Sequence, residues 1–173
     1  KDPLNIPERM NELHAYTAYN STAKSAFDMA LYDISAKAAG KPLYAFLGGE
    51  KKSMETDLTI GIDTPEAMAE KAVEFKNRGV RIIKVKLGRE PEEDTERIRR
   101  IREAIGDTLQ LRIDANQGWN QNQAQLALTE LSRYNIEFCE QPMRRYNDHL
   151  LPELNRTSPI PIMADESVFD HHD

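Results

Sequence analysis

The sequence predicts an α/β fold: the first five strands of a (β/α)8 TIM-type barrel, preceded by a helical segment of a different kind. From about residue 56 onward, short apolar runs alternate with helical segments. Such alternation predicts a parallel sheet, because parallel neighbours need a crossover connection of helix length. Asp114, Glu140 and Asp165 follow three of these runs at intervals of 26 and 25 residues. These acids favour a barrel over an open sheet, because barrel enzymes draw catalytic groups from several strand ends.

The first strand is predicted at 56–62, in the run TDLTIGI. The Asp-Thr-Pro that follows provides a helix cap and then a proline at the first helical position. This helix covers 66–78 and is expected to end at Gly79, since glycine suits the left-handed conformation after a helix end. The second strand is then the run RIIKVKLG at 81–88.

The next helix is indicated by Ile98, Ile101 and Ile105, which form a narrow apolar stripe, and Gly106 closes it. We expect its arginines to cover a solvated face. The remaining elements are strands at 109–115, 136–140 and 160–164, and helices at 120–134 and around 150–154.

Residues 1–50 differ in kind from the rest. Apolar residues between 23 and 38 follow helical spacing, and Gly40 with Pro42 ends that helix. Because no strand pattern intervenes, we predict that this segment is the tail of a separate α-rich domain and that 51–173 is the first half of a barrel. The chain lacks an initiator methionine and stops after a strand-like run, so we expect it to be truncated.

Composition excludes several classes of function. With 29 acidic and 23 basic residues, the net charge is -6, and nucleic acid is not an expected partner. No apolar stretch is long enough for a membrane span and no signal peptide is evident, which predicts a cytoplasmic protein.

The single cysteine, Cys139, lies in an apolar run, which predicts a thiol packed in the core. His171 and His172, at the end of the chain, are expected to be solvated.

Lys84 and Lys86 alternate with the apolar residues of the second strand, so both amines leave the same side of it. One interpretation is an exposed strand edge, where most lysines belong. If the apolar set faces the helices of a barrel instead, the lysines point into its mouth. Lysines there require nearby anions, and the three acids are candidates, so we favour the inward arrangement.

Asp114, Glu140 and Asp165 could each be an ordinary helix cap, but all three recur at the same phase of the repeat. Three oxygen ligands without histidine or cysteine suit a hard cation, Mg²⁺ or else Mn²⁺. A divalent ion bound to a substrate carboxylate stabilises the charge that develops when the neighbouring carbon loses a proton. Lys86 is the expected base, with Lys84 as the charge that disfavours its protonated form and orients the substrate.

The ordered motifs KVK, RIDANQGW, CEQP and PIMADES resemble those of the muconate-lactonizing subgroup of the enolase superfamily. SAFDMALYDISAKAAGKPLYAFLGG resembles the end of its α+β capping domain, which would be residues 1–50. The resemblance spans nearly the whole chain and implies that Asp114, Glu140 and Asp165 are metal ligands. It also implies that Lys86 is the base and Lys84 its neighbour.

Within the subgroup, METDLTIGIDTPEAMAEKA and PIMADESVF are most similar to dipeptide epimerases of the L-Ala-D/L-Glu type. This similarity implies a dipeptide substrate, a role in cell-wall peptide metabolism and a homo-oligomer when full length. Asn116 and Glu166 would support the ligands and the base, and Thr59 is a candidate substrate contact. The opposing lysine and the acids that hold the substrate ammonium are expected on the sixth and eighth strands, beyond these five.

Two alternatives stay open at this point. The same site would serve an o-succinylbenzoate synthase or a muconate cycloisomerase, and acids on the eighth strand would favour the dipeptide enzyme. The 173-residue chain could also be an inactive barrel fragment with a metal-binding or assembly role, because a barrel needs roughly 250 residues. We expect this chain alone to be inactive.

Overall fold

The computed structural model describes residues 1–169 and 173, and the chain divides into two compact units, Lys1–Met54 and Glu55–Asp173. His171 and His172, expected from the sequence to be solvated, lie outside the described residues. Within the described part, no helix has the length and apolar character needed to cross a lipid bilayer. The roles assigned to 1–50 and 51–173 stay predictions.

The first unit is helical, as the sequence predicted. Its helices are α1 at Ile6–Tyr16, α2 at Ser21–Ala38 and α3 at Leu43–Phe46. Asn5 caps α1, because its side chain accepts a hydrogen bond from the amide of Glu8. The end of α2 is followed by Gly40 at a φ of +63°, a backbone conformation that favours glycine.

The second unit contains one parallel sheet with the strand order β1-β2-β3-β4-β5, which confirms the predicted partial barrel. Its strands are β1 at Leu58–Ile60, β2 at Ile82–Lys86, β3 at Gln110–Asp114, β4 at Ile136–Glu140 and β5 at Ile162–Met163. The connecting helices are α4 at Pro65–Asn77, α5 at Pro91–Ile105, α6 at Gln121–Leu131 and α7 at Leu151–Thr157, with 3-10 turns at Ser132–Tyr134 and Arg145–Leu150.

The fifth strand is shorter than the predicted 160–164. Pro161 has no amide hydrogen to donate to the sheet, so the ladder begins at Ile162. The carbonyl of Pro161 still accepts a hydrogen bond of 2.8 Å from the amide of Cys139.

Local capping explains where the helices after β1 and β3 begin. The hydroxyl of Thr64 accepts a bond of 3.3 Å from the amide of Ala67, and Pro65 occupies the first turn of α4. At α6, the side chain of Asn120 accepts from the amide of Gln123, and the Gln123 side chain accepts from the amide of Asn120, each at 3.0 Å. This reciprocal pair is a capping box, which satisfies two helix-end amides that would otherwise lack partners.

The core lies between the sheet and its helices. Alternate strand residues such as Ile83, Val85 and Ile113 are fully buried on the helix side, together with Cys139. Burial raises the pKa of the Cys139 thiol, which agrees with a packed, neutral side chain. The opposite face of the strands is left for the polar residues of the site.

Two arginines of α5 do not lie on a solvated face, and for these the sequence prediction was wrong. Arg97 and Arg102 are buried. The Arg102 guanidinium donates hydrogen bonds of 2.8 to 3.2 Å to the carbonyls of Gly106, Leu109, Tyr134 and Asn135. An arginine that satisfies several backbone carbonyls can be buried, because its donors keep partners in place of water.

The loops that follow β2 and β3 touch through two glycines. A Cβ placed on Gly118 would lie 2.2 Å from the carbonyl oxygen of Gly88, and one placed on Gly88 would lie 2.1 Å from the carbonyl oxygen of Ala115. Both contacts involve backbone, which cannot move aside as a flexible side chain would. The two loops therefore approach each other more closely than any other residue type permits.

We expect Gly118→Ala to lower the free energy of unfolding by about 1–3 kcal/mol, the usual cost of overpacking. Gly61→Ala is the matched control, because a Cβ there would meet no atom within 4 Å and should change stability by no more than about 0.5 kcal/mol. Denaturant unfolding of both variants measures the difference. Equal stabilities would mean that the loops separate without cost.

Candidate active site

A bulge in β4 places Glu140 on the polar face of the sheet. Leu111 pairs with Ile136, but Ile113 pairs with Cys139, so β4 has one more residue than β3 between these pairs. Simple alternation from Ile136 would turn Glu140 toward the helices. The extra residue reverses the phase, so that Glu140 lies beside Asp114 in the register.

Lys84 and Lys86 both point toward this pair of carboxylates. The Nζ atom of Lys84 lies 2.7 and 2.8 Å from the two carboxylate oxygens of Glu140 and 2.9 Å from Oδ2 of Asp114. The Nζ atom of Lys86 lies 2.6 Å from the same Asp114 oxygen and 2.7 Å from Oδ1 of Asn116. Two ammonium groups and two carboxylates thus form one network at the carboxyl ends of β2, β3 and β4.

The network is largely withdrawn from solvent. The side chains of Asp114 and Glu140 are 0% and 8% exposed, and those of Lys84 and Lys86 are 18% and 31% exposed. Lys86 is therefore the more accessible amine. Lys86 is thus better placed than Lys84 to contact a molecule that enters from the solvent.

Burial and charge act in opposite directions on the ionisation of these groups. Burial disfavours the ammonium of Lys84, but hydrogen bonds to Glu140 and Asp114 outweigh it and raise the pKa of Lys84. Burial likewise opposes ionisation of Asp114, yet hydrogen bonds from Lys86 and Lys84 lower its pKa. For Glu140, burial together with repulsion from Asp114 raises the pKa despite the contact with Lys84. Asp114 is thus the most firmly ionised acid, and Glu140 is the member most ready to take up a proton.

Asn116 connects Lys86 to the end of β5. Its backbone amide donates a hydrogen bond of 2.9 Å to Oδ1 of Asp114, and its side-chain Nδ2 donates one of 3.2 Å to Oε1 of Glu166. Asn116 has a φ of +42°, in the left-handed region that asparagine tolerates better than most residues. The structure therefore brings Asn116 into contact with Lys86 and Asp114, and it joins Glu166 to this group through Asn116.

Asp165 and Thr59 are more loosely placed. Asp165 follows β5, has an exposed side chain and donates through its backbone amide to Oε1 of Gln141 at 3.0 Å. Thr59 is exposed on β1 and pairs in register with Lys84. The ligand role of Asp165 and the substrate role of Thr59 stay predictions.

The acidic side chains can be tested for their fit to a divalent cation. Across 1–169 and 173, no three His, Cys, Asp or Glu side chains are already arranged as a metal-binding group. Asp114 and Glu140 nevertheless share one cation, the Lys84 ammonium, and Oε2 of Glu166 is buried without a hydrogen-bond partner. A carboxylate pair that already holds a positive charge fits the donor chemistry of a hard cation such as Mg²⁺, and Asn116 connects the unsatisfied Glu166 side chain to this pair.

Asp94 is a structural determinant of the site that the sequence did not reveal. Its fully buried carboxylate accepts hydrogen bonds of 3.0 and 2.8 Å from the amides of Gly88 and Arg89 and 3.0 Å from the indole of Trp119. It thereby joins the loop after Lys86 to the loop after β3. In the sequence, Asp94 appears only as one of three acids in the first turn of a helix, a pattern that ordinarily stabilises the helix dipole.

Comparison with known proteins agrees with this architecture. Residues 67–173 match the family described as enolase C-terminal domain-like, and residues 1–48 match the mandelate racemase/muconate lactonizing enzyme N-terminal domain. A D-Ala-D/L-Ala epimerase from Cytophaga hutchinsonii is 54% identical over 155 residues, 89% of this chain and 42% of that protein. An L-Ala-D/L-Glu epimerase from Clostridium acetobutylicum is 44% identical over 156 residues, 89% of this chain and 44% of that protein.

A solved structure gives the same result in three dimensions. The dipeptide epimerase from Cytophaga hutchinsonii, complexed with Mg and the dipeptide D-Ala-L-Val, superposes with a TM-score of 0.94 at 50% identity. The match covers 97% of this chain and 46% of that chain. This chain thus spans about half the length of the proteins that it matches.

Proposed function

The chain belongs to the enolase superfamily, and from that premise we propose that the full-length protein is a Mg²⁺-dependent dipeptide epimerase. It would invert an α-carbon by removing a proton and returning one to the opposite face. The observation that carries this proposal is the network of Lys84 and Lys86 with Asp114 and Glu140 at the carboxyl ends of three adjacent strands. Identities of 54% and 44% to dipeptide epimerases support the choice of reaction.

In this proposal Lys86 is the base. Its Nζ must leave Asp114 and Asn116 and lose one proton to solvent, so that the resulting free amine can accept the proton of the substrate α-carbon. Lys84, which keeps its positive charge through its contacts with Glu140 and Asp114, would orient the substrate carboxylate from the same side of β2. Proton transfer by a positioned side chain requires hydrogen-bond reach, and Lys86 is the more exposed of the two amines.

Asp114, Glu140 and Asp165 would hold the cation, with Mg²⁺ favoured and Mn²⁺ as an alternative. When bound, it would stabilise the negative charge that develops on the substrate carboxylate. The side-chain oxygen of Asn116 would accept the hydrogen bond of Lys86 again after proton transfer. Glu166 would hold the Asn116 side chain in place. Thr59, exposed on β1 and paired with Lys84, would contact the substrate.

The other proposals rest on the family. Residues 1–50 would belong to the capping domain and 51–173 to the catalytic barrel, which agrees with the separate family matches at 1–48 and 67–173. We expect the full-length protein to be cytoplasmic, to form a homo-oligomer and to act in cell-wall peptide metabolism.

The proposal can be tested by incubating the full-length protein with Mg²⁺ and Ala-Ala or Ala-Glu dipeptides in D2O. We expect deuterium to enter the α-carbon of the C-terminal residue as the second diastereomer accumulates, since each inversion takes its returning proton from solvent-exchanged groups. Mass spectrometry measures the deuterium incorporated, and NMR measures the amount of the second diastereomer. Chelation of the metal should stop the exchange.

Failure to exchange any dipeptide would contradict the proposal. Turnover of the precursor of o-succinylbenzoate, or of muconate itself, by the same protein would then identify one of the alternative reactions of the subgroup.

A further inference from the structure

We propose that Gln141 is a positioning residue that fixes the backbone of Asp165 and thereby sets the affinity of the site for its divalent cation. The inference rests on the proposed function, because it concerns the acid that would complete the metal site. Gln141 follows Glu140 directly in the chain. It was not among the site residues that the sequence indicated.

The side chain of Gln141 uses its full hydrogen-bonding capacity. Its Oε1 atom accepts from the amides of Asp165 at 3.0 Å and Ser167 at 3.1 Å. Its Nε2 atom donates to the carbonyl of Met143 at 3.0 Å and to the hydroxyl of Ser167 at 2.7 Å. An amide side chain offers two donors and about two acceptor sites, so no other orientation of this amide would satisfy the same four groups.

The backbone of Gln141 also forms hydrogen bonds to neighbouring segments. Its amide donates a hydrogen bond of 2.9 Å to the carbonyl of Met163 in β5, and its carbonyl accepts one of 2.8 Å from the amide of Gln117, which follows β3. Gln141 is only 1% exposed and has a φ of +38°. Such a conformation is costly for glutamine and persists only where surrounding contacts hold it. Gln141 therefore links the loops that follow β3, β4 and β5.

Asp165 depends on this link because its own side chain is exposed. The contact from its amide to Gln141 fixes where the backbone leaves β5, and a carbonyl contact to the amide of Val168 at 3.0 Å closes the turn that follows. Moving this backbone would move the Asp165 carboxylate relative to Asp114 and Glu140. A residue that orients a ligand from behind in this way typically changes metal affinity by about 10–100-fold when it is removed.

The test compares two substitutions in the full-length protein. Gln141→Met keeps the length of the side chain but removes the acceptor for the Asp165 amide. Ser167→Ala is the matched control, since it removes the hydroxyl bound to Gln141 and to Asp148 at 2.7 Å but leaves the Asp165 contact. Calorimetric titration with MgCl2 and the rise in melting temperature caused by Mg²⁺ are the readouts, neither of which needs turnover.

We expect Gln141→Met to weaken Mg²⁺ binding by about 10–100-fold and to reduce the Mg²⁺-induced rise in melting temperature. Ser167→Ala should lower the melting temperature of the metal-free protein yet keep an affinity close to that of the wild type. If Gln141→Met does not fold, Gln141→Asn serves instead: it keeps the amide, but it is one methylene too short to reach the Asp165 amide. The same loss of affinity is expected of it.

Wild-type affinity in the folded Gln141 variant would overturn the inference, because Gln141 would then contribute to stability alone. The proposed function would survive that result, since the wild-type protein would still bind Mg²⁺ and exchange the substrate proton. A wild-type protein that neither binds Mg²⁺ nor exchanges dipeptides would instead contradict the proposed function, and this inference with it.

Discussion

Lys86→Ala in the full-length protein is expected to lower the rate of deuterium exchange at the substrate α-carbon by roughly 10²–10⁴-fold, the usual contribution of a positioned general base. The reason is that Lys86 is the more accessible of the two amines at the carboxylate pair, and its Nζ is held by Asp114 and Asn116 at 2.6 and 2.7 Å. Exchange followed by NMR, at saturating dipeptide, measures the effect.

Metal affinity separates this role from a structural one. Lys86 is not a candidate ligand, and Asp114 keeps its contact with Lys84 in the variant. We therefore expect Lys86→Ala to bind Mg²⁺ at least as well as the wild type while exchange is lost. Lys71→Ala, which removes an exposed lysine paired with Glu74, should leave both properties unchanged. Exchange at the wild-type rate by Lys86→Ala would exclude Lys86 as the base.

The fold was predictable because its signals are local and periodic. The apolar runs predicted the strands, and Thr64 with Pro65 predicted the start of α4, in each case from adjacent residues. That Lys84 and Lys86 share one side of β2 followed in the same way, from alternation along one strand, and the nearby acids favoured the inward side. What these signals could not supply is the pairing between strands and the contacts between loops.

The bulge in β4 shows why part of the site was beyond prediction. Whether Glu140 faces the helices or Asp114 depends on one additional residue in the pairing of β4 with β3, which no pattern within IEFCE specifies. Asp94 and Gln141 make their decisive contacts with residues distant in sequence, including Trp119 and Ser167. Their importance follows from three-dimensional convergence, and in the sequence they resemble an ordinary helix-start acid and a strand-end amide.

Replacing Lys84 addresses how the two buried carboxylates are kept together. Lys84→Met keeps the aliphatic stem but leaves Asp114, at 0% exposure, and Glu140, at 8%, without the ammonium that they share. Removing one partner from a buried ion pair commonly costs about 3–5 kcal/mol. In this variant Glu140 is the carboxylate that loses its lysine partner, whereas Asp114 keeps its contact with Lys86. We expect a loss of that size in the free energy of unfolding of the metal-free, full-length protein. Denaturant unfolding in the presence of a chelator measures it.

Lys71→Met is the control for this substitution, because Lys71 also forms an ion pair but is 46% exposed and should cost only about 0–1 kcal/mol. Glu140 should relieve part of the loss in Lys84→Met by taking up a proton. Its pKa is already raised by burial and by Asp114, so the folded variant would bind a proton that the unfolded chain does not. The loss should therefore be smaller in mildly acidic solution than at neutral pH.

Mg²⁺ provides the decisive comparison for Lys84→Met. A cation that binds the folded protein at Asp114 and Glu140 stabilises it by RT ln(1 + c/Kd), where c is the free Mg²⁺ concentration, and it would supply the positive charge that the variant lacks. The Mg²⁺-induced gain in unfolding free energy should therefore be larger in Lys84→Met than in the wild type, where the ammonium competes for the same oxygens. An equal gain in both proteins would mean that Lys84 and the cation occupy separate places, and that the contacts of 2.7 to 2.9 Å between Lys84 and these carboxylates do not limit metal binding.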